Sequence, residues 1–314
     1  MNSSPNDKPS LPVVEHVKCN LCGADDTRLV FPGIVQHQKG DWEAFRCTHT
    51  GYGHHLPVVE CRRCGMRYAN PRFTEAEILS RYEDVEDPVY LEQLPGRLLT
   101  FDARLRHMER FTGPSEGRRL LDVGAYVGAC VQVARDRGWD AHGIEPGHWA
   151  VSAAQSMGLN VQQGTMHTNP PPPASFDVVT SWDVIEHLTD PLREVHAFAQ
   201  ALKPGGWLAI HTMDCASPFA RLMGKRWPWL MEMHLYYFNR RTLTAMLELA
   251  GFEIRHIYAE SRYLRLDYLA SRIEPYSPCI AGLFGRVVRA LRITKRAIPV
   301  NFGDLMTVYA RKQH

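Results

Sequence analysis

The stretch Leu120–Pro146, LLDVGAYVGACVQVARDRGWDAHGIEP, decides how this chain is read. An apolar run ends in a glycine turn, a helical stretch follows, and a second apolar run closes on an acid. Such a unit opens an α/β domain that binds a cofactor beyond a strand end. A dinucleotide site wants three glycines spaced G-x-G-x-x-G, so that a pyrophosphate can rest on the helix N-terminus. Here Asp122 precedes the turn by two residues, and Tyr126 stands between Gly124 and Gly128. A carboxylate in that place repels pyrophosphate and suits a cationic ligand. Glu145 lies 21 positions after Gly124, about where a ribose-binding acid is expected. The tyrosine is the open question. A positive φ at Tyr126 would cost about 1–2 kcal/mol, whereas a negative φ would let its ring wall the site.

Outward from this unit the alternation continues. RLLDVG, AHGIEP, NVQQGT, SFDVVTSW and GGWLAIHTMD read as five strands, and FEIRHIYAE and LMTVYARK as a sixth and seventh. TDPLREVHAFAQAL reads as a helix with Thr189 or Asp190 as its cap and Pro191 in its first turn. Pro170 to Pro173 form a stiff loop. Short crossovers of this kind predict a parallel sheet with helices on both faces. Asp122, Gly124, Gly128, Glu145, Gly164, Asp183 and His211 then fall at the carboxyl ends of strands, where ligands bind.

Ahead of this domain, CNLCG at Cys19–Gly23 and CRRCG at Cys61–Gly65 each place two thiols on a tight turn. Cys19, Cys22, Cys61 and Cys64 are the expected ligands of a structural, tetrahedral zinc. Cys47, His49, His54 and His55 lie between the knuckles as rival ligands, and Cys130, Cys215 and Cys279 read as small core residues. Thr74 with Glu77 predicts a capping box. Leu98, Phe101, Leu105 and Met108 recur at helical spacing and predict the buried stripe of a longer helix after Gly96.

The chain has 314 residues with a net charge of +2, too mild to imply a nucleic-acid partner. No run of about 18 apolar residues predicts a transmembrane helix. The start, MNSSPNDKPSLP, lacks the apolar core of a signal peptide. With cysteines arranged for metal rather than disulfides, a reducing, cytoplasmic location is expected. Near the end, Arg286, Arg289, Arg292 and Lys295 fall on one helical face and Phe284, Val287, Val288 and Leu291 on another. That segment is expected to cap a core, with weak contact to an anionic membrane surface or to a phosphate-bearing substrate as the alternatives.

From about Arg119 to Glu260 the sequence resembles the class I S-adenosylmethionine-dependent methyltransferases. LLDVGAYVG, GIEP, SFDVV, DVIEHLTDP, LKPGG and HLYYFNRRTLTAMLELAGF carry the resemblance. The paired knuckles with NPRFTEAEI after them resemble a bacterial subgroup with a zinc-binding front module, whose members often act in polysaccharide or natural-product pathways. The resemblance implies a Rossmann-like, doubly wound, mostly parallel seven-stranded sheet over residues 116–314. A disordered tail (1–15), a zinc-ribbon-like module (16–72) and a helical linker (73–115) would precede it, and a basic helical insertion would fill about 263–300.

It further implies that Asp122, Gly124 and Gly128 line the methionine part of S-adenosylmethionine, that Glu145 holds its ribose, that Gly164 and Thr165 lie beside its adenine, and that Tyr126 and Asp183 also belong to the cofactor site. The acceptor is expected to be a small molecule, a sugar or glycan precursor before a secondary metabolite, methylated on oxygen or carbon. In DVIEHL, His187 is the expected base with Glu186 supporting it; related enzymes use the pair as a base or as a divalent-metal site. The bland alternative makes Asp183 and Glu186 a capping box. His211 and His234 compete with His187, and Tyr82 and Tyr90 could reach the same cleft. Two other functions are weighed against this one: a non-catalytic interaction module with a degenerate cofactor site, which Tyr126 favours, and RNA methylation, which the near-neutral charge opposes.

Overall fold

The structure, a computed structural model, describes residues 13–33, 42–49, 51–83 and 85–313. Most of the expected polar tail thus lies outside the described residues. The front part contributes β1 (Val14–Glu15), β2 (Thr27–Phe31), β3 (Val58–Cys61), β4 (Arg67–Ala69) and β5 (Arg72–Phe73), then α1 (Glu75–Glu83), α2 (Pro88–Glu92) and α3 (Leu94–Thr112). The α/β part follows as β6 (Arg119–Val123), α4 (Ala129–Asp136), β7 (Asp140–Glu145), α5 (His148–Ser156), β8 (Val161–Gln163), β9 (Phe176–Trp182), α6 (Pro191–Ala201) and β10 (Leu202–Met213). The last elements are α7 (Pro218–Met223), β11 (Tyr236–Tyr237), α8 (Arg240–Leu249), β12 (Phe252–Tyr258), β13 (Arg262–Arg265), α9 (Leu266–Ile273), α10 (Pro278–Ala290), β14 (Ala297–Val300) and β15 (Leu305–Lys312).

The seven-stranded sheet runs β12-β15-β10-β9-β6-β7-β8. Strands β10, β9, β6, β7 and β8 pair in parallel, and β15 alone is antiparallel to its neighbours. The expected Rossmann-like sheet is present, with the order reversing at β6, so ligands are to be sought beyond the ends of β6, β7 and β9. Leu120, Val178, Val179, Leu208 and Ile210 are fully buried at its centre. Helix α3 buries Leu105 and Met108 as its apolar spacing predicted, with Leu98 and Phe101 half-buried beside them. It packs across α4 and β13.

The front part is stitched to the α/β part rather than strung from it. Strands β2, β3 and β4 take a fourth antiparallel neighbour, β11, with Tyr236 opposite Tyr68 and Tyr237 opposite Arg67. Tyr68, Phe73 and Ile78 share one core with Tyr236, Phe238 and Leu243. Asn20 donates to Asp190 Oδ1 (2.8 Å) and accepts the Leu192 N–H (3.0 Å), while Arg241 donates to the Cys64 carbonyl (2.8 Å). Asp190 also caps α6, accepting the Arg193 N–H.

Three local expectations need correction. Glu77 spends its carboxylate on Arg81, one turn along α1. Cys279 is exposed on α10, whereas Cys130 and Cys215 are buried. Helix α10 ends at Ala290, so Arg292 and Lys295 lie beyond it; it buries Val288 but leaves Ile280, Leu283 and Val287 facing out. Among the described residues no helix is long and apolar enough to cross a membrane.

Candidate active site

The loop after β6 turns sharply because Gly124 and Gly128 both take positive φ (72° and 78°). Neither tolerates a side chain: a Cβ at Gly124 would meet Val184 Cγ2 at 2.5 Å, and one at Gly128 would meet Leu159 Cδ1 at 2.6 Å. Tyr126 also sits at φ 50°, the strained case considered from sequence. Its surroundings hold it there. The Tyr126 N–H donates to Glu145 Oε2 (2.9 Å), and its ring meets Tyr90 edge-on at 4.6 Å and Trp149 at 6.0 Å. Its hydroxyl is buried without a partner. Tyr90 comes from α2, so the segment before the sheet does wall this loop.

Glu145, at the end of β7, also accepts the Gly147 N–H on Oε1 (2.9 Å), leaving each carboxylate oxygen a lone pair. Burial raises its pKa to about 7. Asp122, at the neighbouring end of β6, accepts the Thr180 hydroxyl (2.7 Å), and burial raises it to about 7 as well. Among the described residues neither acid forms an ion pair. Two buried, unpaired carboxylates are costly alone. They fit a ligand that brings positive charge and hydroxyl donors, as S-adenosylmethionine does. Gly164 follows β8 and donates its N–H to the Glu145 carbonyl (3.0 Å). The Thr165 hydroxyl is taken up in its own turn by the His167 and Thr168 N–H groups.

Beyond β9, Asp183 takes φ 59° and pairs with Arg262. Burial opposes its charge, but Arg262, His211 and Arg104 together hold its pKa below the usual carboxylate range. The expected capping partnership between Asp183 and Glu186 therefore gives way to this ion pair. Glu186 accepts the Thr212 hydroxyl (2.9 Å), and burial with Asp183 nearby raises it to about 8.

His187 and His234 stack edge to face at 4.7 Å. Each ring anchors Nδ1–H on a backbone carbonyl, that of Met233 (3.0 Å) for His187 and Trp229 (2.7 Å) for His234, which leaves both Nε2 lone pairs free. Burial lowers His187 to about 4 and His234 to about 3, so both are neutral at pH 7. One ligand atom from each of Glu186, His187 and His234 falls within 4.8 Å of the others, a set able to hold a divalent cation. Tyr82, on α1, meets His187 edge-on at 6.0 Å, so the front part closes over this side.

His211 is a different case. Arg104 Nη2, which can only donate, points at His211 Nε2 (2.8 Å), so Nδ1–H must donate to Thr307 (2.8 Å). Both ring nitrogens are committed, and His211 drops out as a competing base. Sequence reasoning passed over Arg104, Arg97 and Arg262. The first two sit among the apolar residues of α3, and the third lies 79 residues after the Asp183 it pairs with.

The four cysteines also come together. Cys19 and Cys64 sulfurs lie 3.4 Å apart and Cys22 and Cys61 sulfurs 3.6 Å apart, near the ~3.8 Å edge of a tetrahedron with 2.3 Å zinc–sulfur bonds. Among the described residues this cluster contains neither Cys47 nor any of the rival histidines.

The family model described as "Methyltransferase domain" matches residues 90–257. Over 119 residues the chain is 31% identical to the ubiquinone biosynthesis O-methyltransferase of Leptothrix cholodnii, covering 35% of this chain and 51% of that protein. The protein of the same name from Bordetella avium is 30% identical over 118 residues, 35% of this chain and 49% of the relative. The chain thus spans about half the length of the curated relatives it matches. An S-adenosylmethionine dependent methyltransferase from Mesorhizobium loti superposes with a TM-score of 0.43 at 19% identity, over 65% of this chain and 95% of the other. Matched over more than half of its length, the chain belongs to the methyltransferase-domain family.

Proposed function

We propose that this protein transfers the methyl group of S-adenosylmethionine to a small-molecule acceptor, a sugar or glycan precursor before a secondary metabolite. The observation that carries this reading is the pair of unpaired buried carboxylates at the β6 and β7 ends, with the Glu186–His187–His234 cluster beyond β9. When bound, S-adenosylmethionine supplies an electrophilic methyl group. Glu145 holds the ribose hydroxyls on its spare lone pairs, and Asp122 lies along the cationic end. The Tyr126 ring walls the site, Gly164 lets backbone approach the adenine, and Thr165 adds only packing there. In-line transfer draws much of its rate from such positioning.

His187 removes the acceptor's proton. Its imidazole is neutral and offers Nε2, with Nδ1–H fixed on a carbonyl. Glu186 and His234 flank it, and the O-methyltransferase names of the relatives favour a hydroxyl acceptor. The same three side chains support a second reading, a divalent-cation site, because anchored Nδ1–H groups are how metal-bound histidines are usually held. A structural zinc on Cys19, Cys22, Cys61 and Cys64 keeps the front part, and with it Tyr82, over the site. One zinc per purified chain, lost in Cys61→Ser, is the expected metal content; a zinc-free folded chain would refute this.

The non-catalytic reading rests on Tyr126, whose φ of 50° is strained. Calorimetric titration with S-adenosylmethionine and S-adenosylhomocysteine separates the two. Micromolar binding, weakened at least tenfold by Glu145→Ala, about 1.4 kcal/mol, is expected. No binding by the folded, wild-type protein leaves the interaction module standing.

A further inference from the structure

Between β13 and β14 the chain makes an excursion that the seven-stranded sheet does not require. Its two ends are paired, Arg262 opposite Val300 and Arg265 opposite Ala297. Its start is fixed to α3 by the bond from the Tyr263 N–H to the Thr100 hydroxyl (2.8 Å). Helix α9 is held to the front part as well, because Arg272 donates to the Thr48 and His49 carbonyls (2.6 and 2.7 Å). On this firm mounting α10 packs against α9.

The buried residues of α10 are Ala281, Gly285 and Val288, which line up along one side at positions i, i+4 and i+7. The rest of its surface is not the polar face of an ordinary solvated helix. Ile280, Leu283, Val287 and Leu291 recur every three or four residues and so share a second sector, each between 49% and 62% exposed. Arg286, and beyond it Arg289, border that sector on one side. Past the helix, Arg292 takes φ 56° and the Ile293 N–H returns to the Val288 carbonyl (3.2 Å), which turns the chain and sets Arg292, Lys295 and Arg296 around the helix end. All five cations are exposed, and among the described residues none is in an ion pair. At the start of α10 the Tyr276 hydroxyl donates to the Arg226 carbonyl (3.1 Å), so exposed Lys225 and Arg226 stand near that end.

Negative charge is scarce here. From Pro275 to Gly303 the chain holds no Asp or Glu. Of the acids around that stretch, Asp304 is buried and bonded to Trp227 and Trp229, Asp267 pairs with Arg265, and Glu274 stands exposed at the end of α9. One free carboxylate does not offset five cations. An exposed apolar stripe beside a row of unpaired cations matches a surface that is anionic outside and apolar just beneath, which is the surface of an anionic bilayer. A second copy meeting α10 with α10 would instead bring like charges together.

We propose that α10 and the turn after it form a docking face for an anionic lipid bilayer, the apolar sector entering the head-group boundary and the five cations meeting lipid phosphate. The helix lies along the surface and does not span it: 13 residues make about 20 Å, short of the ~30 Å hydrocarbon core. Arg262 also pairs with Asp183, so the docked segment is joined directly to the cleft beyond β9. The proposal is independent of the methyl-transfer reading.

Sedimentation of the full chain with lipid vesicles at low salt tests it. Vesicles of phosphatidylcholine with a quarter phosphatidylglycerol are expected to bind about tenfold more tightly than phosphatidylcholine alone, and added salt should shrink the difference. Leu283→Gln and Arg289→Gln, both at exposed positions, should each weaken anionic-vesicle binding about fivefold. Arg110→Gln, the same loss of charge at an exposed position on α3, should not. Slower amide exchange over residues 278–291 of the wild-type protein, with anionic vesicles and not with neutral ones, is the expected readout that needs no variant. Binding that Leu283→Gln leaves unchanged, or that Arg110→Gln weakens as much, reduces the contact to non-specific charge and overturns the docking face. Absence of binding overturns it too, and a dimer in solution that Leu283→Gln dissociates, in a protein that ignores vesicles, gives the face to a second copy. None of these outcomes involves S-adenosylhomocysteine, so the methyl-transfer reading stands or falls by its own titration.

Discussion

At the ends of β6 and β7, Asp122 and Glu145 form no ion pair among the described residues, while on the other side of β6, at the end of β9, Asp183 pairs with Arg262 and is acted on by the charges of Arg104 and Arg97. The two halves of the cleft have opposite deficits. Burial raises the pKa values of the acidic half to about 7, against the hydrogen bonds it accepts and the charge of Arg104 near Asp122, so it favours a ligand that is positive or rich in hydroxyl donors. The arginine half keeps its carboxylate ionised and still has donors to spare. A cofactor bearing a sulfonium and a ribose suits the first half, and the second offers hydrogen-bond donors to an anion. His187 follows Asp183 by four residues, neutral and with one free lone pair.

The sharpest way to separate these roles is His187→Ala. It is expected to lower kcat by about 10²–10⁴, the usual worth of a general base, while S-adenosylhomocysteine affinity stays put. A fall in affinity as large as the fall in kcat would make His187 part of the cofactor half and blur the division.

A smaller effect comes from pH. Burial raises Glu145 and Asp122 to about 7, so each gains a proton in the free protein as pH falls through 7 and loses its ability to accept hydroxyl hydrogens or face a cation. Cofactor affinity should therefore weaken on acidification, by up to about tenfold per pH unit for each acid that must be ionised. Binding of sulfate, an anion whose charge is constant over this window, should change little at the arginines, since Asp183 is held low and arginine does not titrate there. Parallel pH profiles for the two ligands would break the comparison.

The smallest effect concerns Tyr126→Phe. A buried hydroxyl without a partner is a liability, so its removal should leave stability unchanged or raise it by up to about 1 kcal/mol, read as thermal midpoint. S-adenosylhomocysteine affinity should stay within about threefold. A clear loss of either would mean that the hydroxyl has a partner in the acidic half.

The acidic half was legible in the sequence because its parts are local. Asp122, Gly124, Gly128 and Glu145 sit within one strand–helix–strand unit, where spacing alone predicts geometry. The cysteine pairs were legible for the same reason. The arginine half was not. Arg97 and Arg104 are interleaved with the apolar stripe of α3, where a charged residue ordinarily reads as solvated, and Arg262 comes from a short strand that no periodicity marks. The positive φ at Tyr126 was posed as a question and answered only by tertiary contacts, Tyr90 and Glu145 holding the residue in place. The pairing of β11 with β4 escaped notice because two residues are too few to show a strand pattern.

That pairing has a bearing on the order in which the molecule is made. Tyr236 lies 168 residues beyond its partner Tyr68, so on the ribosome all four cysteines emerge long before the strand that completes their sheet. Loop closure over that distance is slow compared with local turns. The two knuckles can meet while β4 still presents an open edge, and that edge stays unpaired until most of the α/β part has been synthesised. A nascent chain of this design is thus most exposed to wrong pairing in the middle of its synthesis, not at the start or the end.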